Sequence, residues 1–263
     1  MAETTTLRIE VRDPGIGWIT LDRPQVLNAF DDVMKRELRQ AIEAFGRDGS
    51  VRCIVITGAG KGFCSGQDLD HRDPDGPAPD LGETLRSLYN PLIMAIRKVE
   101  KPVVAALNGV AAGAGLSLAL ACDMRIASEK AKLIEVFARV GLVPDAGSSY
   151  FLPRLVGLGR AFEMMALASD VDAVTAERWG LVNRVVPADQ LEAETMALAT
   201  RLAQAPTKAI ALMKRALERS FQSELTDQLD YEAHLQHIAG RSEDFREGVA
   251  AFLAKRPAAF QGR

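Results

Sequence analysis

The stretch that most constrains this chain runs from Val103 to Cys122, VVAALNGVAAGAGLSLALAC. It is apolar over about the length of a membrane span, and Gly109-Val-Ala-Ala-Gly113 has the GxxxG spacing of packed membrane helices. Its interior and flanks argue against a span. Asn108-Gly109 is a turn signal, Lys101-Pro102 precedes the run, and Cys122-Asp123-Met124-Arg125 follows it. The run therefore reads as a buried strand, a glycine turn and a buried helix. Such a segment needs a large surrounding core. A chain of 263 residues, 48% hydrophobic and 25% charged, is long enough to build one, as a single large domain or a domain with a helical appendage.

The rest of the chain supplies that core in alternating pieces. Residues 7–11 and 17–21 read as strands around the hairpin signal Asp13-Pro14-Gly15. Residues 30–45 form an amphipathic helix with Asp31 or Asp32 at its start, and residues 51–57 (VRCIVIT) a buried β-branched strand. A glycine-rich loop follows over 58–66, then a proline-rich polar loop over 71–80 that includes His71, and a helix over 85–99. After the apolar run, strands are expected at 124–127 and 133–136. From Gly147 onward the pattern is helical apart from a strand at 181–186, with helices at 191–203, 206–219, 225–238 and 242–254. Strands alternating with helices, then helices alone, predict an α/β core over residues 1–200 and a helical C-terminal region over 201–263.

Charge and cysteine usage narrow the function. A net charge of −3 gives no basic footprint for nucleic acid. Three widely spaced cysteines, Cys53, Cys64 and Cys122, without a CxxC, argue against a disulfide framework or zinc site and fit a reducing compartment. The N-terminus has no basic-then-apolar leader, so a cytoplasmic protein is expected. His234 and His237 sit three apart on a helix, but no third ligand or HExxH accompanies them; they read as surface or packed histidines, and no metal is expected. Trp18 and Trp179 read as core.

Three segments could carry chemistry. Two are glycine loops between a strand and a helix, residues 57–69 (TGAGKGFCSGQDL) and 108–116 (NGVAAGAGL). Neither is a phosphate loop or a dinucleotide fingerprint. They are either tight turns in close packing or, since loops entering helices present free backbone N–H groups, two donors aimed at one oxyanion. The third segment is Gly141-Leu-Val-Pro-Asp145-Ala-Gly-Ser-Ser149. Asp145 there is either a helix N-cap or a general base whose proton affinity an apolar loop would raise. Ser117 has no recognisable His/Asp partner, which speaks against nucleophilic catalysis.

These three segments, with Leu21-Asp22-Arg23-Pro24-Gln25-Val26-Leu27-Asn28-Ala29, Lys101-Pro-Val-Val-Ala-Ala-Leu-Asn-Gly109 and Ala176-Glu-Arg-Trp-Gly-Leu-Val182, resemble the enoyl-CoA hydratase/isomerase, or crotonase, family over nearly the whole chain. The resemblance implies a spiral of ββα units with a C-terminal helical trimerisation region, a homo-oligomer (trimer or dimer of trimers), and an acyl-CoA substrate with no further cofactor. It implies that the backbone N–H groups of Gln67 and Ala114 hold the thioester oxygen. Arg23, Ser65, Gly66, Asp68, Leu69, Gly113, Ser117 and Phe137 are then expected around coenzyme A and the acyl group, and Lys255 or Arg256 near its phosphates, from the same or a neighbouring subunit. Family hydratases carry two glutamates where this chain has Ser117 and Phe137, so the resemblance implies an isomerase in which Asp145 is the single acid/base. Within the family the chain resembles the isomerases that turn the ring epoxide of phenylacetyl-CoA into an oxepin. A Δ3,Δ2-enoyl-CoA isomerase is the nearest alternative, and a hydratase-like or non-catalytic CoA-binding member the next.

Overall fold

The computed structural model describes residues 4–69, 76 and 79–263. Strands β1 (Leu7–Arg12) and β2 (Ile16–Leu21) form an antiparallel hairpin, followed by α1 (Asp32–Arg47), whose first turn Asp31 caps by accepting the Met34 N–H. Three strand pairs then repeat the same course: β3 (Cys53–Gly58) with β4 (Gly62–Cys64), β5 (Val103–Leu107) with β6 (Val110–Ala112), and β7 (Met124–Ser128) with β8 (Lys132–Ile134). Helices α2 (Leu81–Thr84) and α3 (Asn90–Lys98), joined by a π turn at Leu85–Tyr89, separate the first pair from the second, and α4 (Ala114–Ala121) separates the second from the third. Further on come α5 (Ser148–Val156), α6 (Leu158–Leu167), β9 (Val171–Asp172), α7 (Ala173–Arg178), β10 (Arg184–Val186), α8 (Leu191–Ala203), α9 (Thr207–Ser220), α10 (Leu225–Ala239) and α11 (Glu243–Leu253).

Each pair gives its first strand to one sheet and its second to another. The larger sheet has the order β1-β2-β3-β5-β7-β10 and the smaller β4-β6-β8-β9. Apart from β1–β2 and β8–β9 the pairings are parallel. This is an α/β spiral of ββα units. The apolar run is its axis: β5 and α4 are buried at every residue. Along β3 the side chains divide by parity: Ile54 and Ile56 enter the main core, whereas Cys53 and Val55 join Ile16, Trp18, Val104 and Ala199 in a second layer covered by α8. A strand buried on both faces loses the polar alternation of a surface strand, which is why residues 53–56 (CIVI) are apolar without a break. Among the described residues no helix is long and apolar enough to cross a membrane.

The spiral closes because the turns between paired strands lie on one another. A Cβ built on Gly109 would stand 1.9 Å from the Lys61 carbonyl oxygen. Two asparagines fasten the same turn. Asn28, fully buried, accepts the Arg23 N–H at 2.9 Å and donates to the carbonyls of Ala59 and Gly62; Asn108 accepts the Gly58 N–H at 3.1 Å and donates to Gly60 and Gly62. The C-terminal helices are docked by charge: Lys214 on α9 reaches Asp123 at 2.8 Å and the Lys101 carbonyl at 2.9 Å, and Arg52 donates to Ala205, Thr207 and Phe260.

Some expectations need correction. Strands β4, β6 and β9 are two or three residues long, too short to show a period, and β4 and β6 lie inside segments read as glycine loops. The helix expected from residue 85 begins at Leu81, where Asp80 caps it. The strand expected over 133–136 ends at Ile134, because Val136–Val140 turn into a 3-10 helix. The expected division after residue 200 lies inside α8. Except for Gly76, Pro79 and Asp80, the polar loop at 71–80, His71 included, lies outside the described residues.

Gly109→Ala should lower stability by about 3 kcal/mol or more, roughly 10 °C in Tm, because the approaching atom is backbone and cannot move aside. Gly49→Ala, with no heavy atom within 4 Å of the added methyl, should leave Tm almost unchanged in the same thermal melt.

Candidate active site

A cavity of about 450 Å³ opens between the two glycine loops, the π turn and the 3-10 helix. Its walls are mainly apolar, with Leu81, Leu85, Val140 and Leu142 joined by Phe137. Of the residues singled out from the sequence, Ser65, Gly66, Gln67, Leu69, Gly113, Ala114, Phe137 and Asp145 line it together. Arg23 and Asp68 form an ion pair at 2.9 Å, and Arg23 also donates to the Ala29 carbonyl. Ser117 is fully buried outside the lining, and Lys255, on the exposed turn after α11, is not among the lining residues.

The two loops meet by close backbone approach. A Cβ on Gly115 would lie 2.3 Å from the Cys64 carbonyl, and one on Gly66, whose φ is +102°, would lie 2.9 Å from the Ala112 carbonyl. Gly66 and Asp68 use their backbone C=O and N–H on Phe30. This leaves the Gln67 N–H, which alternation turns the other way, without a backbone acceptor among the described residues. Ala114 is the first residue of α4, so its N–H has no acceptor within the helix, and none is found among the other described backbone groups. Two free amides, one of them at a positive helix end, thus border the same cavity, an arrangement suited to an oxyanion.

Sequence reasoning gave no role to the side chains that fix Gln67. Its Nε2 donates to the Phe30 carbonyl at 3.0 Å, while its Oε1 accepts from Lys35 Nζ at 3.0 Å and Tyr89 Oη at 2.8 Å. Lys35 is fully buried, bonded to Asp32 at 2.8 Å and placed 4.5 Å from the centre of the Tyr89 ring. Its position beside Met34 on the buried face of α1 was the available signal.

Asp145 sits in the loop between the 3-10 helix and α5. It is not a cap: the N-cap of α5 is Gly147 and has no side-chain bond. The loop is held by its carbonyl, which accepts from Ser117 Oγ and the Ser148 N–H, both at 3.0 Å. Ser117 therefore acts on the loop from below. The Asp145 carboxyl is left with a buried Oδ1 that has no partner. Burial pushes its pKa from 3.8 up to about 6, opposed by the positive charge of Lys35. A second carboxyl, Glu135, is fully buried nearby and accepts from Ser148 Oγ. The sequence signal for it was a lone acid within the apolar stretch Leu133-Ile134-Glu135-Val136-Phe137.

Among the described residues no group of three His, Cys, Asp or Glu side chains could hold a metal ion. His234 and His237 are exposed on α10. Arg139 lines the cavity but is engaged by Asp170 and the Ala168 carbonyl. The arrangement can polarise a carbonyl with two amides and move a proton with one half-buried carboxyl.

A family model described as enoyl-CoA hydratase/isomerase matches residues 12–263. The chain is 45% identical to the 1,2-epoxyphenylacetyl-CoA isomerase of Escherichia coli K12, over 95% of this chain and 97% of that one. It is 46% identical to a Rhodobacter capsulatus protein named "Probable enoyl-CoA hydratase", over 98% of each. The crystal structure of an enoyl-CoA hydratase from Bacillus anthracis superposes with a TM-score of 0.93 at 31% identity, covering 98% of this chain and 100% of the other. With the spiral fold, the paired amides and matches over nearly its full length, the chain belongs to the enoyl-CoA hydratase/isomerase (crotonase) family.

Proposed function

We propose that the protein is an acyl-CoA isomerase that converts the ring epoxide of phenylacetyl-CoA to the oxepin. The observation that carries this reading is that Asp145 is the sole carboxylate among the described residues lining the cavity that the Gln67 and Ala114 amides border. A proton beside a thioester becomes removable when the enolate oxygen is stabilised, and the two amides are placed to do that. Asp145 then takes the proton and returns it elsewhere on the same substrate, or steadies the ring as it rearranges. Adding water wants both a base and an acid; at the positions of the hydratase glutamates stand Ser117, bonded to the Gly113 and Asp145 carbonyls, and the apolar Phe137. The identity to the E. coli isomerase supports the aromatic substrate.

The reading includes no cofactor beyond the coenzyme A on the substrate, with Arg23, Ser65 and Asp68 toward its nucleotide end and Lys255 or Arg256, of the same or a neighbouring subunit, toward its phosphates. It includes a homotrimer or dimer of trimers, supported by the exposed Leu217, Leu225, Phe252 and Leu253 on the C-terminal helices. A cytoplasmic location is supported by three cysteines that are buried and unpaired.

The test is turnover of two substrates, the ring epoxide of phenylacetyl-CoA and a 3-enoyl-CoA. Asp145→Asn should bind both CoA esters and lose turnover by roughly a hundredfold or more. Wild-type turnover of the epoxide should exceed that of the enoyl ester; the reverse order would make the protein a Δ3,Δ2-enoyl-CoA isomerase, and wild-type activity in the variant would remove Asp145 from the mechanism.

Ala114→Pro deletes one amide at a helix position that tolerates proline. It should lower kcat by about 10²–10³ while circular dichroism stays native.

Asp145 should also cost stability. Its folded pKa, about 6, lies above the usual 3.8, so the fold disfavours the ionised form. That penalty is absent below about pH 4, grows through pH 4–6 and is complete above. Discounted for partial exposure, Asp145→Asn should be more stable than wild type by about 1–2 kcal/mol at pH 8 and equal to it at pH 4, as read by urea melts.

A further inference from the structure

The reading above uses one carboxyl, and the structure holds a second beside it. Glu135 is 0% exposed. Its Oε1 accepts from Ser148 Oγ, and its Oε2, buried, has no partner. Oδ1 of Asp145 is likewise buried without a partner. Ser148 ties the two together: its hydroxyl holds Glu135, and its backbone N–H holds the Asp145 carbonyl at 3.0 Å. On the other side, the Ile134 carbonyl accepts the Gly113 N–H at 2.9 Å, which joins the start of the Glu135 segment to the residue before the Ala114 amide. Val136 and Phe137, next in the chain, line the cavity. Glu135 thus lies one layer behind the wall, between the loop that carries Ala114 and the loop that carries Asp145.

A buried carboxylate with a single hydrogen bond is unstable as an anion, and the second of two neighbouring carboxyls in apolar surroundings ionises only at raised pH. Burial pushes Glu135 up to about 7; the Ser148 hydrogen bond opposes this and the charge of Asp145 adds to it. The charge of Lys35, from α1, acts on Asp145. The Ser148 hydroxyl faces Glu135 from α5, and Arg139 from the 3-10 helix is held by Asp170. Glu135, fully buried with one hydrogen bond, is therefore the better holder of the proton, and Asp145, half-buried and within the field of Lys35, the better holder of the negative charge.

Building on the assignment of Asp145 as the proton carrier, we propose that Glu135 and Asp145 form a one-proton pair in which Glu135, a positioning residue, holds the resting proton and so keeps Asp145 as the base. Ionisation of Glu135 would place a second negative charge beside the developing enolate and slow the reaction.

The experiment combines infrared spectroscopy of the carboxyl C=O stretch in the free enzyme with the pH profile of kcat/KM. Wild type should show a protonated, solvent-shielded carboxyl between about pH 6 and pH 7 that Glu135→Gln lacks and that titrates at lower pH in Asp145→Asn. The wild-type profile should rise as Asp145 ionises and fall by roughly tenfold as Glu135 does, one pK unit of coupling; Glu135→Gln should lose the alkaline fall. Should that variant not fold, Ser148→Ala removes the one hydrogen bond to Glu135 and should move the alkaline fall to higher pH. A carboxyl band that persists in Glu135→Gln, a profile that superposes on wild type, or an unmoved fall in Ser148→Ala would overturn the pair. The two ideas fail separately: full turnover by Asp145→Asn removes the catalytic reading, whereas an inactive Asp145→Asn with no shielded carboxyl in wild type removes the pair alone.

Discussion

The structure depends on backbone touching backbone where one turn of the spiral lies on the next. Gly109 against Lys61 and Gly115 against Cys64 leave no room for a side chain. The Gly62 carbonyl takes hydrogen bonds from both Asn28 and Asn108, so the first turn is fastened from two directions at once. The turns of the first two strand pairs are fixed by this contact, and with them the start of α4. The free amides at Gln67 and Ala114 are a consequence. They face one cavity because the loops that carry them are stacked at van der Waals distance, which no arrangement of longer side chains could achieve.

The same compactness sets the electrostatics. Around the cavity are a buried ammonium, Lys35, a half-buried carboxyl, Asp145, and a fully buried one, Glu135. Each costs desolvation, and only Lys35 is well compensated, by Asp32 and the Gln67 amide oxygen. The two carboxyls are held instead by raising their proton affinity toward neutrality. A site chosen for stability would replace them; the local penalty is the usual mark of a working group, since a base must be ready to accept a proton near the operating pH.

Much of this was legible in the chain because burial leaves a strong imprint. The uncharged run around Asn108-Gly109 located the spiral axis, the β-branched stretch at 51–57 located β3, and helix α8 falls on residues 191–203 as read. What escaped has a common physical cause. Strands β4, β6 and β9 owe their existence to neighbours in the smaller sheet rather than to a local pattern. Lys35, Tyr89 and Glu135 matter through partners that are distant in sequence: Gln67 for the first two, Ser148 and Asp145 for the third. Asp145 shows the opposite case. Its neighbours in the chain suggest a helix cap, and only the position of α5, which starts at Ser148 behind Gly147, shows that its carboxyl does not cap that helix.

Ser117 and Phe137 connect these points to the choice of reaction. In the proposed isomerase, neither position has to handle water. Ser117 is free to brace Asp145 through its carbonyl, and Phe137 to close the apolar wall. A carboxylate at 117 would stand under the Asp145 loop without the hydroxyl that now donates to it, and a carboxylate at 137 would open the wall in front of Glu135 to a charge and its hydration. Both changes would lower the burial that raises Asp145 and Glu135. In that proposed reaction the Ser117 and Phe137 pair would do two things at once: it would leave out the groups that activate water, and it would keep dry the surroundings in which a single aspartate carries a proton out and back.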